Sequence, residues 1–136
     1  MLDFWNWKKP FRSIKFAFQR MKKGYCDYDT WDIDSYLDKI LPGMLRQMAD
    51  ETIAAPAIVE NGEIHQLTHD EWRSELRQTA LLIELAQKEE DDCIFRSDEE
   101  TLQEYVERDI AATALAEKYR KMAFDWILKN YRYLWW

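Results

Sequence analysis

Three glycines and three prolines in 136 residues leave little material for tight turns. A β-sandwich or barrel, which needs turn residues at roughly every 8 to 12 positions, is disfavoured against helices. Two cysteines, Cys26 and Cys93, are too few for a disulfide framework and lack metal-ligand spacing, which points to a reducing, cytosolic setting. No apolar run approaches the 18 or so residues of a membrane span, and no small-residue cleavage site follows the N-terminus. The protein is therefore expected to stay in the cell that makes it. Glycine-rich phosphate loops, a nucleophile with its base and a metal set are all missing from the pattern, so neither catalysis nor a cofactor is expected.

Aromatic residues and charge are what the chain has in quantity. Seven Trp, seven Tyr and six Phe can hold much of a core or an interface, since each large ring buries about 150 to 250 Å². The net charge of −7 conceals an asymmetry: residues 1 to 23 carry seven basic residues against Asp3, net +6, and the remainder carries 12 basic and 25 acidic residues, net −13. A basic, aromatic arm or helix (1–23) on an acidic body (24–136) is the expected layout of one domain spanning 1–136.

The organising stretch is Gly24 to Met48, where Ile33, Leu37, Ile40, Leu41, Met44, Leu45 and Met48 recur at helical spacing and require a partner surface. Pro42 is expected to kink this helix or divide it. Upstream, Phe11, Ile14, Phe18 and Met21 form the apolar side of a short basic helix ended by Gly24. That side either packs on the protein's own core or lies on a membrane surface. Asp27 and Asp32 are candidate N-caps, and the aspartates at 27, 29, 32 and 34 lack the glycine and distal Glu of a calcium loop. Asn61-Gly62, flanked by β-formers, predicts a small hairpin over 57–66. His65 and His69 are four apart, but Thr68 and Glu71 form a capping box between them, which removes a shared helical face. A helix to about Gln87 should then end in the acidic run 89–92. Ser97 with Glu100 predicts the start of a last helix, running nearly to the end for about 36 residues or on the order of 54 Å. The architecture predicted is mainly α, a bundle of about four helices with a kinked central helix and a small hairpin.

Three segments, RMKKGYCDYDTWDIDSYLDKILPGML, THDEWRSEL and the terminal NYRYLWW, resemble a family of small proteins encoded in tailed bacteriophage genomes and prophages. The resemblance spans most of the chain and rests on caps, stripes and packing aromatics. It implies phage origin and a place in the host cytoplasm or the virion, and assigns no catalytic residue. Within it, stoichiometric binding of a host protein, for takeover or defence inhibition, competes with a virion or assembly role and with peripheral membrane attachment. Trp5, Trp7, Trp126, Tyr131, Tyr133, Trp135 and Trp136 are the candidate partner-binding or self-association residues, because Trp and Tyr anchor interfaces. Lys8, Lys9, Arg12 and Lys15 are the candidate contacts to a membrane or anion, with nucleic acid disfavoured by the acidic remainder.

Overall fold

The structure is a computed structural model that describes residues 8–135, the side chains of residues 8 and 9 excepted. Four helices and one hairpin follow in order: α1 (Lys8–Lys23), α2 (Ile33–Glu51), β1 (Ala57–Glu60), β2 (Glu63–Gln66), α3 (His69–Asp91) and α4 (Leu102–Asn130), then a single 3₁₀ turn at Tyr131–Tyr133. The expected mainly α bundle with a hairpin is what forms. Two compact units divide the chain between Leu37 and Asp38, inside α2.

In the first unit a turn folds back on α1 through polar contacts. Gly24 sits at φ +81° and its N–H reaches the Arg20 carbonyl at 2.8 Å, a left-handed stop that costs glycine no Cβ clash. Asp27 is not an N-cap: it accepts from Gln19 Nε2 at 2.8 Å and Lys15 Nζ at 3.0 Å. Asp29, 6% exposed, accepts both fork nitrogens of Arg20 at 2.6 and 3.0 Å and the Cys26 N–H at 2.7 Å. These partners hold both carboxyls below the usual carboxylate range, Asp29 through Arg20 above all and Asp27 through Gln19 first and then Lys15.

In the second unit the rest of α2, α3 and α4 share a core of Leu45, Ala49, Trp72, Leu76, Ala80, Ile83 and Ala123. Alanines at the contacts let helices approach closely, and Trp72 fills the wider end, tilted on Trp126 at 5.4 Å between ring centroids. The buried side of α2 is rotated from the one its hydrophobic residues predict. Ile33 and Met44 are exposed, Leu41 and Met48 are partly covered, and Asp38 is only 3% exposed. Arg120 of α4 causes this: its Nη2 lies 2.6 Å and its Nε 2.9 Å from Asp38 Oδ2, and it grips Glu90 of α3 at 2.5 and 2.7 Å. A buried carboxylate with such partners is tolerated where an unpaired one is not. Pro42 does not divide α2, which continues through it as one element; the missing N–H removes one helical bond, to the Asp38 carbonyl.

The hairpin pairs Ala57 with Gln66 through Glu60 with Glu63, in the register expected. Asn61 and Gly62 take φ of 52° and 81°, the two left-handed positions of a two-residue turn. Thr68 and Glu71 make the expected capping box, but α3 runs on to Asp91, so the acidic run is mostly helical. Its Glu90 is drawn in by Arg120. Helix α4 begins four residues later than expected, on a capping box of Thr101 and Glu104. Glu100 is instead clamped by Arg108 at 2.8 and 2.9 Å. The helix spans 29 residues, with Ala112, Ala116 and Ala123 buried and Leu102, Val106 and Ile110 outside.

Two outcomes are expected. Thr101→Ala should cost about 1 kcal/mol in urea unfolding, as lost N-caps do, and Ser97→Ala should cost clearly less; the reverse order would place the cap wrongly. Because the folded carboxyls of Asp27 and Asp29 titrate below their unfolded values, their contribution is complete above about pH 5 and lost as pH falls through the folded range. Trp31 fluorescence should therefore change on acidification below about pH 4 in the wild type, with Arg20→Ala altering that transition; an identical acid profile in the variant would contradict the pairing.

Candidate binding groove

The hairpin, α3 and α4 enclose a groove of about 630 Å³, within the usual range for ligand sites. The hairpin contributes Ile58, Glu60 and His65, α3 contributes Glu71, Glu75, Gln78 and Leu82, and α4 contributes Met122, Trp126, Lys129 and Asn130. Helical spacing explains the set. Glu71, Glu75 and Gln78 lie three and four apart on α3, and Met122, Trp126 and Asn130 lie four apart on α4, so each row shares a face.

Acceptors dominate its polar groups. Glu75 takes the Trp126 indole N–H at 2.9 Å, which fixes the ring that floors the groove. Glu60 pairs with Lys129, and that bond lowers its carboxyl from the ordinary value. Glu71 is lowered by the Thr68 backbone N–H and then by the Thr68 hydroxyl. Asn130 is 2% exposed; its amide nitrogen donates to the Trp126 carbonyl at 3.0 Å, and its carboxamide oxygen is buried without a partner. Buried acceptors are nearly always paired, so this oxygen beneath the groove wall is an exception to the rule.

The partner-binding candidates separate. Trp126 is half-buried in the groove and against Trp72. Tyr133 and Leu134 pack on the core, while Tyr131 and Trp135 are 72% and 65% exposed. Tyr133 and Trp135 also line a smaller hollow with Trp72 and residues 54–57, which is where the aromatic end is anchored. Trp5, Trp7 and Trp136 lie outside the described residues. Of the cationic candidates, Lys8 and Lys9 belong to α1 but their side chains lie outside the description. Lys15 is paired with Asp27 at 3.0 Å, and Arg12 is exposed, 6.0 Å from the Phe16 ring. His65 stands on the hairpin and His69 opens α3, so they share no helical face. Among the described residues no cluster of three metal-ligating side chains occurs.

The groove went unseen in sequence because three separate segments make it. Its one local signal was the row Glu71, Glu75, Gln78, whose first member reads as a capping residue. Asn130→Leu should raise stability by about 1 kcal/mol, since removing an unpaired buried acceptor relieves its desolvation penalty. A loss of that size in chemical denaturation would mean that the oxygen already has a partner.

Comparison of the chain with protein-family models, with curated proteins and with solved structures finds no match.

Proposed function

We propose that this is a phage-encoded, non-enzymatic binding protein that acts in the host cytoplasm by stoichiometric capture of a host protein, in takeover or defence inhibition. The observation that carries the reading is the acceptor-rich groove. It lies in a unit, residues 38–136, that holds 12 basic and 21 acidic residues, net −9. Such a site suits a basic segment of the partner: an aliphatic stem against Leu82, Met122 and Trp126, and a cationic head between Glu71 and Glu75. The surrounding negative field would steer a basic protein in and oppose acidic ones. Phage origin rests on the sequence resemblance alone.

A second reading, as a virion or assembly component or a self-associating module, draws on the exposed Tyr131 and Trp135. Contacts anchored by aromatic rings are weakly sensitive to salt. Charge-driven ones weaken as the screening length falls from about 10 Å at 0.1 M to about 3 Å at 1 M.

The test is affinity capture from phage-infected host cells at low and high salt, with wild type and Gln78→Arg. Gln78 is exposed and lines the groove, so the substitution places a cation in it without disturbing the core. One basic host protein retained by the wild type at low salt, and lost both at high salt and with Gln78→Arg, is the expected result. Equal capture by Gln78→Arg, or recovery of phage structural proteins alone at either salt, would overturn it.

A further inference from the structure

Helix α1 carries Phe11, Ile14, Phe18 and Met21 at 58 to 78% exposure. Spaced three, four and three, they form one stripe along the helix. Four large apolar side chains left out in a row are more than a surface helix ordinarily shows, and such patches mark contact sites. The opposite side of α1 is in use: Phe16 meets Tyr28 at 6.3 Å between centroids, Gln19 and Lys15 hold Asp27, and Arg20 holds Asp29. The helix is thereby fixed to its own turn by one side and presents the other.

Charge decides among the possible occupants. The 16 residues of α1 include Lys8, Lys9, Arg12, Lys15, Arg20, Lys22 and Lys23 and no acidic residue. The nearby carboxylates Asp27 and Asp29 are engaged with Lys15, Gln19 and Arg20. Lys22 borders the stripe, roughly 40° around the helix from Phe18 at 100° per residue. An apolar ridge with Lys15 and Lys22 along one edge matches a broad anionic surface that deforms around it. Helices of this kind lie in the membrane interface with the apolar face sunk about 5 to 10 Å, and each cation near an anionic leaflet adds about 1 kcal/mol.

We infer that α1 docks on an anionic lipid surface, Phe11, Ile14, Phe18 and Met21 entering the headgroup boundary and Lys22, at the edge of the stripe, meeting lipid phosphates, while Arg12 and Lys23, farther round the helix, add longer-range attraction. Lys15 contributes little, because Asp27 already holds it. No described helix is long and apolar enough to cross a membrane, so the attachment is in-plane.

Flotation of the full chain with phosphatidylcholine vesicles, with and without phosphatidylglycerol, tests this. Wild type should float only with phosphatidylglycerol. Phe11→Ser with Phe18→Ser should lower partitioning about tenfold or more, and Lys22→Glu with Lys23→Glu should abolish the preference for the anionic lipid. All four positions are exposed on α1, so the far-UV circular dichroism should be unchanged. Equal recovery with and without phosphatidylglycerol, or undiminished flotation of the Phe variant, would overturn the inference. So would a wild-type dimer in sedimentation equilibrium that the Phe variant turns to monomer while flotation is absent, since the stripe would then be covered by a second copy. The groove variant Gln78→Arg should float like wild type, which separates this outcome from that of partner capture.

Discussion

A carboxylate inside a helical bundle has to be paired, and the second unit is arranged around the way Asp38 is paired. One guanidinium, Arg120 of α4, reaches Asp38 of α2 and Glu90 of α3 together, so a single side chain touches all three helices of the shared core. Apolar packing is broadly tolerant of rotation, because a helix with leucines and methionines on several sides can bury more than one of them. Ionic partners are less tolerant. With Asp38 turned inward, Leu41 and Leu45 follow it into the core and Ile33 and Met44 stay out. Whether the ionic cluster adds net stability over an apolar replacement is a separate matter; its well-supported use is to fix which arrangement forms.

That dependence explains what could be read in the sequence. Local chemistry was legible: Asn61-Gly62 gave the hairpin and its register, Thr68 with Glu71 gave the start of α3, and Gly24 gave the end of α1. Degenerate local chemistry misled, since Ser97 with Glu100 repeats the Thr101 with Glu104 pattern four residues upstream and Arg108 decides between them. Long-range pairing was invisible. Asp38 and Arg120 stand 82 residues apart, and an aspartate among leucines reads as solvent-facing. The groove was hidden for the same reason: neither the orphan oxygen of Asn130 nor its neighbours across the hairpin form a linear motif. The amphipathic stripe of α1 was plain, but its availability became clear only once the turn 24–32 was found on the other side.

The two units therefore present two kinds of surface. Unit one, with seven basic and five acidic residues, offers a cationic helix whose apolar ridge is uncovered. Unit two, at net −9, offers a groove lined by three carboxylates, Glu60, Glu71 and Glu75. The proposed capture of a basic partner and the inferred attachment to an anionic lipid surface draw on opposite charges of the same chain.

The most direct test of the ionic constraint is a double-mutant cycle between Asp38 and Arg120, read by urea unfolding. Arg120→Ala strands a buried carboxylate and should cost about 3 kcal/mol or more, and adding Asp38→Ala should recover a large part of that loss. Additive losses, or an Arg120→Ala protein as stable as wild type, would show that apolar packing alone sets the rotation of α2.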